Sequence, residues 1–84
     1  MKLTKKDLKL FLEKNNYHTK KNVIIKKSIA SKWDKKDLCC FIVLQTWQFG
    51  RSLEDSIENA EYWSKSDKGE ILNIFFKKDI EATF

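Results

Sequence analysis

The fold is decided by residues 34–50, which read DKKDLCCFIVLQTWQFG. Asp34 is a favourable N-cap residue with Asp37 three positions later, and Gly50 is a favourable stop at the other end. Nine of the twelve residues in the stretch 38–49, which ends directly before Gly50, are apolar. A helix that is apolar almost all round is buried almost all round. We therefore expect a buried central helix over about 34–49; a long central strand is the alternative, which the flanking caps disfavour.

Shorter helices are predicted before the central one. Thr4 and Asp7 form an approximate capping box that begins a first helix, and the pair Asn15-Asn16 is typical of a helix end. A second helix is expected over about 23–31, with an inner row at Ile25, Ile29 and Trp33. The run Val23-Ile24-Ile25 alone also suits a short strand.

Two further helices are predicted after Gly50. Ser52 is the N-cap of a fourth helix. The inner row of this helix is formed by Leu53, Ile57, Ala60 and Ser64, and Tyr62 and Trp63 lie close beside that row. A last helix begins at Ser66 or Asp67, with an inward face of Leu72, Phe75, Phe76 and Ile80.

Length and composition favour one helical domain. Eighty-four residues provide one core, and 42% hydrophobic residues with three Trp argue against disorder. The absence of Pro and the presence of only two Gly disfavour a turn-rich β sandwich or barrel. We predict an all-α fold, a compact single domain (1–84) of four to five short helices around the central helix.

The cysteines and the N-terminus suggest a reducing, cytoplasmic location. Cys39 and Cys40 are adjacent, are poorly placed to bond to each other, and lie in an apolar run, so we expect two buried thiols. A redox role at the surface or a bridge between molecules is the alternative. The first residues are charged and show no signal peptide, and the longest apolar run, 38–44, is far shorter than the ~20 residues that cross a bilayer.

Charge is distributed unevenly along the chain. Residues 1–36 carry twelve Lys against three carboxylates, a balance of +9, whereas residues 37–84 carry five cations against nine carboxylates, a balance of −4. A strongly basic region favours a polyanionic partner, most often nucleic acid. The alternative is a solvated lysine face that confers solubility and binds nothing.

The candidate nucleic-acid-binding residues are the N-terminal cations and two neighbouring rings. Cations spread over a surface suit phosphate neutralisation, because the affinity comes from counterion release. An exposed ring between lysine clusters would stack on an unpaired base, although Tyr17 is more typical of a residue that closes the core. The predicted set is Lys2, Lys5, Lys6, Lys9, Tyr17, His18, Lys20, Lys21, Lys26, Lys27, Lys32, Lys35 and Lys36.

The type of cation predicts little sequence specificity. Sixteen of the seventeen cations are Lys, and only Arg51 is Arg, the residue that base-edge readout favours. No helix-turn-helix pattern is visible, so specific operator recognition is not expected. RNA or a single strand is slightly preferred over duplex DNA.

The predicted fourth helix has an acidic side. Its carboxylates are Glu54, Asp55, Glu58 and Glu61. A solvated outer face explains them most simply; a divalent cation or a basic protein surface are the alternatives. A further alternative is that the acidic half of one copy pairs with the basic half of another, which would produce self-association.

Nothing in the sequence indicates catalysis. There is a single His, no phosphate-binding loop, no zinc-like cysteine spacing and no nucleophile elbow, so we predict no enzyme activity, no cofactor and no metal. The leading hypothesis is a non-catalytic nucleic-acid-binding protein. The alternative is a small protein-binding inhibitor or adaptor that docks through complementary charge, with or without the help of bound RNA. Lys, Ile, Asn and Phe richness without Pro is also common among phage and mobile-element accessory proteins.

Overall fold

The computed structural model describes residues 2–18 and 22–83. These residues form five helices and one antiparallel two-stranded sheet. In chain order the elements are α1 (Lys5–Lys14), β1 (Val23–Ile25), α2 (Lys27–Ala30), α3 (Lys35–Gln48), α4 (Leu53–Trp63), α5 (Lys68–Phe75) and β2 (Ile80–Ala82). The predicted compact, mostly helical domain is confirmed, with a small sheet added.

The central helix is α3, as predicted. The Asp34 carboxylate accepts a 2.8 Å hydrogen bond from the Asp37 N–H, and Gly50 adopts a φ of 98° after the last turn. Residues 37–44 are all buried. The last turn differs from the prediction, because Trp47 and Phe49 extend past the packed part of the helix and are exposed.

The predicted second helix is wrong in its first part. Val23–Ile25 is strand β1, which pairs with Ile80–Ala82 as strand β2 in the register Val23↔Ala82 and Ile25↔Ile80. The helical part of this predicted segment is limited to α2, which is four residues long. Three consecutive β-branched residues favour the strand once a partner strand is present, and that partner lies more than fifty residues later in the chain.

Pairing in the sheet also changes the predicted inner faces. Ile25 and Trp33 are buried, but Ile29 is exposed and the three do not form one helical row. Ile80 belongs to β2 rather than to the last helix, because α5 ends at Phe75. In α4 the buried residues are Ser56 and Ala60; the other members of the predicted inner row, Leu53, Ile57 and Ser64, are half-buried, and Tyr62, predicted close beside that row, is 68% exposed.

The caps of the outer helices are confirmed. In α1 the Thr4 hydroxyl accepts from the Asp7 N–H at 3.3 Å while the Asp7 carboxylate accepts from the Thr4 N–H at 2.9 Å. Asn15 ends this helix and Asn16 adopts a φ of 58°. At the start of α4 the Ser52 hydroxyl accepts from a backbone N–H at 3.1 Å. These are local signals, which explains why the sequence reveals them.

Acid should weaken the start of α1. Hydrogen bonds from the Thr4 N–H and from Lys36 hold the pKa of Asp7 below its ordinary value of 3.8. Since the folded value is the lower one, the stability that Asp7 contributes is complete above the unfolded pKa and is lost as the pH falls through the folded pKa. We expect Asp7→Asn to lower the unfolding temperature at pH 7 and to converge on the wild type near pH 2.

Thermal unfolding followed by circular dichroism at pH 7, 4, 3 and 2 tests this. Asp67→Asn is a matched control, because Asp67 also lies at the start of a helix, as the N-cap residue of α5, but makes no capping hydrogen bond within the described residues. A constant difference between wild type and Asp7→Asn over the whole range would show that the ionised carboxylate contributes nothing.

An aromatic cluster joins the elements. The Trp33 ring lies 5.2 Å from Phe11, 6.0 Å from Phe41 and 6.1 Å from Phe76, centroid to centroid. Phe41 and Phe76 are 4.8 Å apart. These four rings come from α1, the turn before α3, α3 itself and the end of α5, so one cluster connects the N-terminal, central and C-terminal parts of the chain.

Candidate nucleic-acid interface

The lysines of α1 form an outward stripe. Leu8 and Phe11 are the buried side of this helix, and Lys5, Lys6 and Lys9 are exposed on its outer side. Lys5 and Lys9 are one helical turn apart, and Lys6 is three residues before Lys9, so the three are neighbours on the helix surface. They constitute the α1 stripe.

Lys36 is compensated by a carboxylate. Its Nζ lies 3.1 Å from Asp7 Oδ1, and a second ion pair joins Lys14 Nζ to Asp37 Oδ2 at 2.9 Å across the same contact between α1 and α3. Each hydrogen bond raises the pKa of its lysine. These are the two ion pairs among the residues described. All four partners line one shallow depression at this contact, and Asp34 lines it as well. This contact is therefore nearly neutral, and Lys36 contributes little to a basic surface.

A second basic cluster forms at one end of the sheet. The pairing of Ile25 with Ile80 brings the residues that follow β1 beside those that precede β2. The contact is direct, because the Lys27 N–H donates a 3.1 Å hydrogen bond to Asp79 Oδ1. Four exposed lysines lie next to this contact in the chain: Lys26, Lys27, Lys77 and Lys78. We call this group the sheet corner.

Half of the sheet corner is absent from the sequence-based prediction. Lys77 and Lys78 lie in the half of the chain with net negative charge, and only the strand pairing brings them to Lys26 and Lys27. Residues 80–82 include Glu81 and Ala82, which are not typical of a strand, so local pattern did not indicate that Lys77 and Lys78 precede one.

The remaining predicted cations lie apart from these two groups or outside the described residues. Lys2 is exposed, but it lines depressions whose other walls include Glu58 and Glu61 of α4. Lys32 is exposed in the turn before α3, and Lys35 is half-buried in the first turn of α3. Lys20 and Lys21 lie outside the described residues.

The two rings predicted near the lysines have different surroundings. Tyr17 is only 7% exposed, and its ring meets the edge of Phe11 at a centroid distance of 6.0 Å. Burial raises the pKa of Tyr17. Its ring faces are not available for a base, in agreement with the alternative that it closes the core. His18 is exposed, with Nδ1 3.5 Å from the carbonyl oxygen of Leu12, and its role stays a prediction.

The acidic side of α4 faces solvent. Glu54, Asp55 and Glu58 are exposed and Glu61 is half-buried. Across the two described segments, no three His, Cys, Asp or Glu side chains are grouped so as to hold a metal ion. The proximity of Lys2 reduces the net negative charge of this side.

The cysteines are buried thiols. The Cys39 thiol donates to the carbonyl oxygen of Ala60 and the Cys40 thiol to that of Asp7, each at 3.8 Å. Burial raises the pKa of Cys39, and burial with the nearby carboxylates raises the pKa of Cys40 to about 12. Neither is a thiolate at neutral pH, so neither resembles an activated nucleophile.

Comparisons with known proteins place this chain in no group. No family model, no curated protein and no solved structure matches it. Within 2–18 and 22–83, no helix is long and apolar enough to cross a membrane. The function therefore has to be argued from the two basic groups, the α1 stripe and the sheet corner.

Proposed function

We propose that this protein binds the phosphate backbone of nucleic acid without catalysis, and that the sheet corner is its main contact. The observation that carries the proposal is the strand pairing, which brings Lys26 and Lys27 beside Lys77 and Lys78 around one nearby carboxylate residue, Asp79. The α1 stripe adds three more exposed lysines.

The proximity of these lysines favours an anionic partner. The strand pairing and the hydrogen bond from Lys27 to Asp79 bring the backbones of the two Lys-Lys pairs together, and charges closer than a Debye length, about 8 Å at physiological salt, are only partly screened from one another. Like charges at that spacing repel, and Asp79 offsets only one of them. A phosphate backbone relieves this repulsion and releases its own counterions, which supplies the binding free energy.

Lysine rather than arginine determines the kind of recognition. An ammonium group contacts a phosphate as a point charge, whereas base edges are read mainly by planar side chains such as Arg. Binding through the sheet corner is therefore weakly dependent on sequence, and its role is to coat, sequester or deliver the nucleic acid. RNA or another single strand is the preferred ligand.

Fluorescence polarisation at two or more salt concentrations tests the proposal. The probes are labelled single-stranded RNA, single-stranded DNA and duplex DNA of one sequence. If four to six phosphates are engaged, the logarithm of the association constant should fall against the logarithm of salt concentration with a slope of about −3 to −5. Lys77→Ala/Lys78→Ala should weaken binding and make this slope shallower by about 1 to 2.

A matched variant separates the effect of lysine position on binding from the effect of total charge. Lys65→Ala/Lys68→Ala also removes two lysines from the C-terminal half, but these lie at the end of α4 and the start of α5. We expect this variant to bind almost as the wild type does. Equal losses of affinity in both variants would show that total charge, and not its position, determines binding. If no probe binds at low salt, the result would favour docking on a protein, as in the inhibitor or adaptor hypothesis.

A further inference from the structure

One hydrogen bond joins the two chain segments of the sheet corner. The Lys27 N–H donates to Asp79 Oδ1 at 3.1 Å, although the two residues are 52 positions apart in the chain. Asp79 directly precedes Ile80, whose partner in the sheet is Ile25, and Lys27 lies two residues after Ile25. The bond therefore extends the contact between the two segments past the last paired residues of the strands.

Asp79 supplies an acceptor that the start of α2 does not have locally. Lys27 is the first residue of α2, and the first N–H groups of a helix have no acceptor within the helix. The N-cap residue is Lys26, which makes no side-chain capping hydrogen bond, and an ammonium group has only donors to offer. The acceptor comes instead from Asp79, directly before β2. The start of α2 is thus tied to the lysine pair that precedes Asp79 in the chain.

Burial does not hold the sheet corner together. Its four lysines and Asp79 are all exposed, whereas the nearest buried residues, Ile25 and Phe76, lie outside it. Among the described residues, no other side-chain hydrogen bond and no ion pair joins residues 26–28 to residues 77–79. Because like charges repel, we expect the two Lys-Lys pairs to move apart when the bond to Asp79 is absent.

We propose that Asp79 is the positioning residue of the sheet corner, whose acceptor oxygen holds the two Lys-Lys pairs side by side for contact with one phosphate backbone. This inference rests on the proposed function and deepens it. The role requires an oxygen that accepts from the Lys27 N–H, but it does not require the negative charge of the carboxylate. That charge opposes a polyanion, so Asp79 both holds the sheet corner in place and limits its affinity.

Two substitutions at this position separate the acceptor from the charge. Asp79→Asn and Asp79→Ala both remove the charge, but only Asn keeps an acceptor oxygen. Binding of labelled single-stranded RNA is measured by fluorescence polarisation at several salt concentrations. Asp79→Asn should bind about 2- to 5-fold more tightly than the wild type at low salt, the effect of removing one charge about 4–10 Å from a phosphate in water. Asp79→Ala should bind on the order of tenfold less tightly than Asp79→Asn, with a salt slope shallower by about 1 to 2, because fewer lysines reach the backbone together.

The other end of the sheet provides a matched control. There the Thr83 hydroxyl donates to Asn22 Oδ1 at 2.9 Å, which is also an exposed hydrogen bond between residues far apart in the chain. Thr83→Val removes this bond at the end of the sheet away from the sheet corner, and we expect it to change the affinity by less than about twofold. If Thr83→Val made the salt slope as shallow as Asp79→Ala does, general weakening of the sheet would explain both, and the positioning role of Asp79 would be wrong.

Nuclear magnetic resonance of the isotope-labelled protein reports on the bond without nucleic acid. The Lys27 amide proton resonance should stay downfield in Asp79→Asn and move upfield in Asp79→Ala, because the hydrogen bond persists only in the first. Equal affinities and salt slopes for these two variants would overturn the positioning inference while the lysine binding stood. Weaker binding by Asp79→Asn than by the wild type would also overturn it, since the charge would then be required. Failure of the wild type to bind the RNA at low salt would overturn both proposals.

Discussion

Trp33→Ala is expected to lower the free energy of unfolding by about 3–5 kcal/mol. The wild type should have roughly 4–12 kcal/mol in total, the usual range for a chain of this length. The substitution should therefore leave the protein partly or wholly unfolded at 37 °C.

The reason lies in what Trp33 contacts. It is buried, and its ring meets Phe11, Phe41 and Phe76, which come from three different helices or their ends. Removing the indole leaves a cavity among three rings and removes its edge-to-face contacts with Phe11 and Phe76 as well as the transfer free energy. The surrounding backbone belongs to separate elements, so collapse into the cavity would have to displace all of them.

Trp47→Ala is the matched control for this prediction. The same atoms are removed, but the ring is half exposed at the end of α3, so we expect a loss below about 1 kcal/mol. Urea unfolding followed by circular dichroism measures both variants on one scale. If Trp33→Ala cost no more than Trp47→Ala, the aromatic cluster would not be the centre of the core.

Local signals in the sequence were sufficient to predict most of the helices. A cap residue and the backbone N–H that it accepts from are three positions apart, so Thr4, Asp34 and Ser52 are readable without knowledge of the rest of the chain. The buried run of α3 is readable for the same reason, since a continuous apolar stretch needs burial on every side.

Pairing over a long distance in the chain could not be predicted in the same way. The run Val23-Ile24-Ile25 is compatible with helix or strand, and the choice depends on Ile80–Ala82. Because the sheet was not predicted, the sheet corner was only half recognised. The burial of a single side chain is equally hard to predict from local sequence. Tyr17 and Trp47 are both aromatic residues near the end of a helix, and only the packing shows that Tyr17 is buried and Trp47 is exposed.

The largest expected effect on binding is that of the variant in which Lys26, Lys27, Lys77 and Lys78 are all replaced by Ala. Loss of four phosphate contacts should make the salt slope shallower by about 3. At low salt the affinity should fall on the order of 100-fold, since each contact releases about one counterion. All four side chains are exposed and make no ion pair within the described residues, so the fold should be retained, as circular dichroism would verify.

A second fourfold variant tests whether the position of the charge matters. Replacing Lys2, Lys5, Lys6 and Lys9 by Ala removes the same charge, and a charge-only mechanism predicts equal losses for the two variants. We expect about a tenfold loss here, because the α1 stripe is spread along a helix and Lys2 lies beside the carboxylates of α4. A larger loss in this variant than in the sheet-corner variant would assign the main contact to the N-terminal helix. In that case the distribution of lysines along the sequence, rather than the strand pairing, would determine where the phosphate backbone of the nucleic acid binds.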